Sequence, residues 1–404
     1  MIGKLIERRA SPENPSTNLS NPAEWLVDWA HGQPTKSGAR INEGTALGLS
    51  AVWACVNLLS ATVASLPLIL YRRAGRVKFR AREHPLYRLA HDEPNEFFTS
   101  FMWRETAMGH VLTWGNSYTE IVGRAAAREL RILRPDRMTP LVTPSGRLYY
   151  EYNEGGATPR LIRPENLIHV SGLGFDGVRG YSVIQTHRES LGLTAATVSF
   201  GASWFGNGSR PAGMLKHPAR LSPEAAKRLR LQWEALHSGS DNWNKTAILE
   251  EGMSWEKIGI PPEDSQFLET RVFQVQDVAR MYNVPPHMIQ ELSHATFSNI
   301  EHQAIQFVVH TVRPWLVRWE QELNRKLLSE REREDHFFEF LVDGLLRGDT
   351  VARFQSYALG RQWGWLSAND IRALENMNPI RDGGDEYLVP LNMSPAGAPV
   401  EAEP

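Results

Sequence analysis

The sequence predicts an α+β protein, in which a mixed half of helices and strands precedes a mainly helical half. Three patterns carry this prediction. Apolar residues at helical spacing run through residues 45–66, short β-like segments with glycine and proline turns fill about 67–170, and long helical patterns follow Gly180. Of the 404 residues, 42% are apolar and 22% are charged, which is the composition of a chain that buries a core.

The first helical segment lies in an uncharged stretch, Thr45–Tyr71, that is long enough to span a bilayer. Its apolar residues follow helical spacing on one side: Leu49, Val52, Val56, Leu59 and Val63. Asn57, several serines and threonines, and Pro67 favour a buried amphipathic helix, and a membrane span is the alternative. The first 25 residues lack the apolar core of a signal peptide.

The rest of the first half predicts short strands and one further helix. Residues 67–81 form two strands around Ala74-Gly75, and a helix that ends near Gly115 is followed by a strand. Turns are expected at Pro135-Asp136 and Ser145-Gly146, and another strand spans Leu167–Val170.

The segment after Gly180 predicts one long helix that Asn207-Gly208 ends and Pro211 prevents from resuming. Its end, SWFGNGSRPAGML, is rich in glycine. It lacks the Gly-Lys-Ser or Gly-Lys-Thr of a phosphate-binding loop, and no helix starts directly after it. We therefore interpret this stretch as a helix terminator rather than a nucleotide site.

The remaining elements are predicted in chain order. A helix capped by Ser222 precedes a hairpin that turns at Glu251-Gly252, and a long helix of about 264–283 ends at Asn283 and Pro285-Pro286. A very long helix, Ile300–Leu328, is expected to kink at Pro314. Two more helices are broken at Gly364, and Ser367 caps the second, whose apolar face carries Ile371 and Leu374.

No pattern of catalytic residues is found. The single cysteine, Cys55, excludes an intramolecular disulfide and a cysteine-based zinc site. The spacings between neighbours among His287, His294, His302 and His310 are seven and eight residues, whereas metal ligands on one helical turn are three or four apart. Carboxylate pairs such as Glu250-Glu251 sit at turns and helix starts. We expect no metal, no cofactor and no enzymatic activity.

One segment has a strong local charge although the whole chain has a net charge of only −2. Between residues 207 and 230, Glu224 is the sole acidic residue, and the cations are Arg210, Lys216, Arg220, Lys227, Arg228 and Arg230. These residues form either a solvated helix face or a surface for an acidic partner or a nucleic-acid backbone.

Several motifs together carry a family resemblance. They are AVWACVNLLSATVASLPLILYRR, GLGFDGVRGYSVIQ, GASWFGNGSRPAGML, ILEEGMSW, SQFLETRVFQVQDVARMYNVPPHMI and ATFSNIEHQAIQFVVHTVRPWLVRWEQELNRKLL. In this order the chain resembles the portal proteins of tailed double-stranded-DNA phages, of the Hong Kong ninety-seven type, over about residues 45–385. A lytic phage, a prophage and a gene-transfer particle are all sources that fit this resemblance.

The resemblance implies a portal-type fold with these parts: a flexible N-terminal arm (1–40), an α/β wing (41–184), a stem helix (185–207), an α/β clip (208–262), a second stem helix (263–285), a tunnel-loop region (286–299), a long kinked helix of the wing (300–345), crown helices (346–385) and a disordered tail (386–404). It places the tunnel loop in the DNA channel, with Ser293, His294, Ala295, Thr296, Phe297, Ser298 and Asn299. It makes the cationic residues of 207–230 a clip surface for partners.

The resemblance also implies a function. Portal proteins form a ring, usually of twelve copies, at one capsid vertex of the virion. Double-stranded DNA enters through the ring during packaging by the terminase large subunit and later leaves toward the tail. The implied partners are further copies of the chain, DNA, terminase, the major capsid protein and a head–tail adaptor, with assembly in the host cytoplasm and no membrane. The alternatives are a membrane-associated channel, a nuclease, and a capsid or adaptor protein.

Overall fold

The computed structural model describes residues 33–75, 77–123, 128–155, 158–206, 213–217, 222–225, 227–229, 231, 253–257, 264–292, 305–342, 350–375 and 377–388. The chain divides into two compact units, residues 1–340 and 341–404. This division does not distinguish the arm, wing, stem, clip, tunnel-loop and crown ranges within each unit, so those boundaries stay predictions.

The first unit begins with a short hairpin, β1 (Gln33–Pro34) and β2 (Arg40–Ile41), followed by helix α1 (Glu43–Leu47). Helix α2 (Ser50–Ser65) then buries the predicted apolar side, including Val52, Leu59 and Val63. Each buried side chain of this size stabilises the fold by roughly 1.5–3 kcal/mol. Within the described residues, no helix is both long enough and apolar enough to cross a bilayer.

Helix α2 packs antiparallel to a later helix of the same unit. Helix α3 (Pro85–His91) leads to α4 (Ser100–Trp114), which lies against α2. Arg104 fixes the two ends together, because its buried guanidinium donates to the carbonyls of Ser100 (3.1 Å) and Leu66. Burial lowers the pKa of Arg104 to about 10.

Three antiparallel sheets of three strands belong to the first unit within the described ranges. The first has the order β10-β5-β6, and the second has the order β7-β8-β9. The strands are β5 (Asn116–Val122), β6 (Glu129–Leu133), β7 (Met138–Val142), β8 (Leu148–Tyr152), β9 (Arg160–Ile162) and β10 (Leu167–Ser171). Tyr118, Tyr150 and Leu167 belong to the apolar cluster shared by these two sheets.

The third sheet has the order β13-β3-β4 and contains a strand that the sequence analysis missed. The predicted pair is β3 (Leu68–Ala74) and β4 (Val77–Arg80), and β13 (His336–Phe340) joins the free side of β3. Phe338 and Phe340 of β13 are buried, so this distant strand adds two aromatic side chains to the core beside β3.

The long helical pattern after Gly180 is broken, which corrects the prediction of one continuous helix. It consists of α5 (Val183–Thr186) and α6 (Arg188–Gly206), separated at His187. Ser182 caps α5, and its hydroxyl also donates to the carbonyl of Thr113 (2.6 Å), so the short helix is fixed to the end of α4. After α6 come β11 (Gly213–Lys216), β12 (Ser254–Lys257) and helix α7 (Asp264–Met281).

Next to the position of the kink predicted at Pro314, the chain forms a π-helical segment, Phe307–Val312, that runs into α8 (Arg313–Leu327). Proline lacks the amide that would bond to the carbonyl four residues earlier, at His310. The side-chain amide of Asn283 donates to that carbonyl instead (3.2 Å), and Thr311 donates to the Asn283 carbonyl (2.5 Å). The irregular turn is therefore satisfied by Asn283, two residues after the end of α7.

Helix α8 has one buried row of side chains, and the second unit has the predicted break between two helices. Trp319, Leu323 and Leu327 are buried in one row of α8, and a short helix, α9 (Glu332–Asp335), follows. In the second unit, α10 (Thr350–Gln362) ends before a left-handed Gly364, and Ser367 caps α11 (Ala368–Leu374) as predicted. Arg353 and Glu375 form an ion pair at 2.7 Å that joins the two helices.

Candidate functional site

The two long helices predicted as a pair, α6 and α7, lie antiparallel to each other. Ser190 donates to Asp277 (2.5 Å), and further along the pair Gln274 donates to Thr197 (2.9 Å). From Ser190 to Gly206 helix α6 contains no charged residue, and Leu193, Val198 and Phe200 are exposed. A long helix with apolar exposed residues and no charge is typical of a surface that another chain covers.

The start of α6 is held by the N-terminal hairpin. A methyl group on Gly192 would lie 2.4 Å from the hydroxyl of Thr35, so the hairpin is packed directly against the helix. The Lys36 amide donates to Glu189 (3.0 Å), and Gln185 donates to Glu43 (3.2 Å). These contacts fix the direction in which α6 leaves the sheets.

The segment between the two helices carries the predicted cationic surface. Strands β11 and β12 pair antiparallel. The hairpin predicted to turn at Glu251-Gly252 would instead pair β12 with the residues just before that turn. Lys216, Lys227 and Arg228 are exposed, and the Ser222 hydroxyl accepts from the Ala225 amide as a helix cap. Three of the predicted cations, Arg210, Arg220 and Arg230, lie outside the described residues, as does the turn at Glu251-Gly252.

The predicted channel loop, with Ser293, His294, Ala295, Thr296, Phe297, Ser298 and Asn299, lies outside the described residues, and the structure describes the segments on either side of it. On one side α7 ends at Met281, and the left-handed Asn283 follows, then a 3-10 turn, Pro286–Ile289, and a left-handed Gln290. On the other side the described chain resumes at Ile305, ahead of the π-helical segment. The bonds between Asn283 and both His310 and Thr311 join these two flanks.

A polar hub at the edge of the sheets was missed by the sequence analysis. The Asn116 side chain donates to the carbonyls of Trp114 (3.1 Å) and Gly180 (2.8 Å), and it accepts from the Gly180 amide (2.8 Å). His169 completes the hub, with ring nitrogens 3.0 Å from the Asn116 oxygen and 3.1 Å from the Tyr150 hydroxyl. An asparagine directly after a helix-ending glycine was the available signal.

The environment of His169 keeps its ring neutral. Its desolvation, reinforced by the positive charges of Lys326 and Arg325, lowers the pKa of His169 to about 3, against a smaller opposing effect of Asp176. Burial likewise lowers the pKa of His110, on α4, to about 4. At neutral pH both histidines are uncharged structural groups.

The hub holds a glycine-rich loop, residues 172–181, in one conformation. The Gly172 amide donates to the Gly115 carbonyl (2.8 Å), and the Tyr181 amide donates to the Leu173 carbonyl (2.7 Å). Asp176 accepts from the amides of Val178 and Arg179 at the loop tip. Phe175 at this tip is 89% exposed, so a loop with a fixed backbone presents an aromatic side chain to solvent.

The predicted absence of a metal site concerns four histidines, of which His287 and His310 are described and His294 and His302 are not. The residues that the structure covers include no group of three or more histidine, cysteine, aspartate or glutamate side chains that could hold a metal. Burial raises the pKa of the Cys55 thiol to about 12, which keeps it protonated and unreactive.

Comparison with known proteins assigns the chain to a family. The family described as phage portal protein matches residues 50–376, which is most of the chain. The chain belongs to the phage portal protein family. It is 33% identical over 392 residues to the probable portal protein of Streptomyces phage phiC31, covering 92% of this chain and 84% of the relative. It is 29% identical over 364 residues to the portal protein of Enterobacteria phage HK97, covering 88% of this chain and 84% of the relative.

Solved structures share the fold of this chain. A chain of the virion of a native gene transfer agent particle aligns with a TM-score of 0.59 and 25% identity, over 88% of this chain and 99% of that one. A chain from the neck of the empty gene transfer agent particle, computed with C6 symmetry, aligns with a TM-score of 0.59 and 25% identity, over 92% of this chain and 98% of that one. The α+β portal fold is therefore confirmed, and the family is structural rather than enzymatic.

Proposed function

We propose that this portal protein assembles as a ring of twelve copies at one capsid vertex and forms the channel for double-stranded DNA. The observation that carries the proposal is the match to the portal family over residues 50–376. A similar chain lies in a neck computed with C6 symmetry, and a ring of twelve contains a sixfold axis. The uncharged exposed face of α6 and the exposed Phe175 supply apolar surface for contacts between subunits.

The channel itself is proposed to be narrowed by the loop Ser293–Asn299. Its polar side chains would make weak contacts with phosphates that do not depend on sequence, which a conduit requires because tight binding would stop DNA movement. His294 is the residue of this loop whose side chain titrates near neutral pH in its ordinary range, so protonation would add one positive charge per subunit to the channel.

The other proposed partners contact other parts of the chain. The cations Lys216, Lys227 and Arg228, with Arg210, Arg220 and Arg230, form the clip surface that would meet the terminase large subunit and later the head–tail adaptor. Residues 41–184 and 300–345 would form the wing, and residues 346–385 the crown, with the major capsid protein around the ring. The chain would catalyse no reaction, and DNA movement would be driven by the terminase.

The oligomeric state tests this proposal. We expect native mass spectrometry of the purified protein to give closed assemblies with a mass near twelve times the 45.7 kDa of one chain. Apolar contacts are not screened by salt, so the assemblies should persist in about 1 M NaCl. A mass of 45.7 kDa at every protein concentration and salt concentration would count against a ring-forming protein.

A further inference from the structure

The β3–β4 hairpin is a second strongly cationic segment that the portal function does not explain. Six of the eleven residues between positions 72 and 82 are basic, and none is acidic: Arg72, Arg73, Arg76, Lys78, Arg80 and Arg82. This density is higher than in the 207–230 segment, where six cations are spread over 24 residues. All four side chains of β4 are exposed.

The strand register places three of these cations on one face of the sheet. Arg73 pairs with Lys78, and Tyr71 pairs with Arg80 and, on its other side, with Phe337. Because side chains two apart in a strand share a face, Arg73, Lys78 and Arg80 all lie on the face of Tyr71 and Phe337. Neighbouring charges are then about 6–7 Å apart along a strand and about 5 Å across the pair.

Aromatic rings hold two of these cations in place. The Arg73 guanidinium lies 4.5 Å from the centre of the Phe337 ring, and the Lys78 ammonium lies 4.6 Å from the centre of the Tyr71 ring. Tyr71 and Phe337 stack on each other at 5.7 Å. This face, which we call the cationic face, is defined by Tyr71, Arg73, Lys78, Arg80 and Phe337.

Nearby carboxylates neutralise only part of the charge. Glu339 forms an ion pair with Lys78, and Asp335 lies 3.4 Å from Arg72, which is outside the cationic face. In the part of the chain that the structure describes, no carboxylate lies within ion-pair distance of Arg73, Arg80 or Arg82. The cationic face therefore keeps a net positive charge in water.

Protection of a sheet edge does not account for this arrangement. Strand β4 is the edge of the sheet, and charged residues on an edge prevent pairing with other chains. Arg73, however, lies on β3, the central strand of the sheet, and pairs with Lys78 of β4, although β13 pairs only with Leu68–Arg72. Charges on β4 alone would protect the edge, and carboxylates would do so equally well.

We propose that the cationic face of the β3–β4 hairpin binds the phosphate backbone of nucleic acid without sequence preference. Five of the six cations of the hairpin are arginines, whose planar guanidinium groups bind phosphate oxygens in pairs. The exposed, fixed cations need little reorganisation to meet an array of phosphates. This site uses none of the residues of the predicted channel loop or clip surface.

The experiment separates this surface from passage through a ring. A covalently closed circular duplex cannot thread through an assembled ring, so its binding reports on outer surfaces alone. We compare the unaltered protein with the triple variant Arg73→Gln, Lys78→Gln, Arg80→Gln. The matched control is Arg163→Gln, Arg313→Gln, Arg331→Gln, which removes the same charge from three exposed arginines elsewhere in the first unit.

We expect the hairpin variant to lower the slope of log affinity against log salt by about 2–3, close to 0.9 for each phosphate that is no longer neutralised. Binding at low salt should weaken at least about tenfold. The control should keep the slope of the unaltered protein. Equal slopes for hairpin variant and unaltered protein would overturn the proposal and leave an acidic protein as the partner of this face. An equal decrease in both variants would also overturn it.

A measurement on the unaltered protein covers the case in which the triple variant fails to assemble. Lys78 is 49% exposed at its side chain and should react with an acetylating reagent, and bound circular DNA should protect it as seen by mass spectrometry. Unchanged acetylation of Lys78 under saturating DNA would refute the site. Either result is independent of whether linear DNA passes through the ring.

Discussion

Replacing Gly115 with alanine should prevent stable folding of the first unit. Gly115 ends α4 with φ at +77°, and an alanine methyl group there would lie 2.2 Å from the carbonyl oxygen of Tyr181. The left-handed conformation alone costs roughly 1–2 kcal/mol for a residue with a Cβ. The backbone clash comes in addition, and backbone atoms cannot move aside as a flexible side chain can. We expect a total loss above about 4 kcal/mol, measured by urea denaturation.

Gly146 provides the matched control for that variant. Its φ is +76°, nearly equal to that of Gly115, but a methyl group there would have no atom within 4 Å. Gly146→Ala should therefore show only the conformational cost of roughly 1–2 kcal/mol. Similar losses for the two variants would contradict the close packing of the glycine-rich loop against Gly115.

The second large effect is a loss of stability in mild acid. The pKa values of His169 and His110 are lowered to about 3 and about 4, so the folded protein leaves both rings neutral at about pH 5, where the unfolded chain protonates them. The stabilisation by the two neutral rings is therefore present above about pH 6.5, the pKa of a histidine in the unfolded chain. It is lost as the pH falls from there toward the lower pKa values of the folded protein. From about pH 7.5 to about pH 5 each histidine should account for a loss of roughly 2 kcal/mol.

Variants assign this pH dependence to the two residues. His169→Gln removes the titrating ring and retains polar atoms toward Asn116 and Tyr150, so its unfolding free energy should change about 2 kcal/mol less over the same pH range. His187→Gln, at an exposed position, should keep the pH dependence of the unaltered protein. An acid loss that is as large in both His169→Gln and His110→Gln as in the unaltered protein would show that other groups cause it.

Local signals in the sequence were sufficient for many elements. The left-handed glycines Gly115 and Gly364 and the cap Ser367 lie where the predicted helices end or begin. These features are decided by the conformational preferences of single residues and their near neighbours. The resemblance over about residues 45–385 agrees with the family match over 50–376.

Contacts between distant parts of the chain were not predicted. Strand β13 pairs with β3, which lies more than 260 residues earlier, and no local pattern in HFFEF states its partner. The hub of Asn116 depends on Gly180, 64 residues away, because its bonds exist only after the sheets and the loop are in place. The start of α5 depends on a similar contact, because Ser182 donates to the carbonyl of Thr113, 69 residues earlier.

The cationic hairpin shows a third reason for an incomplete prediction. Its residues were predicted as two strands, but no binding role was predicted from their charge. Register decides which cations share a face, and register follows from the pairing with both neighbours of β3. The alternation of side chains along β3 does not by itself predict that the Phe337 ring lies against the Arg73 guanidinium.

Electron microscopy of the purified protein, with particles classified by rotational symmetry, tests the central claim most directly. The proposed conduit predicts rings of about twelve subunits with an open central bore at least as wide as duplex DNA, about 20 Å. Monomers or closed particles without a bore, in preparations that are folded by other measures, would contradict the proposal that this chain alone builds the channel.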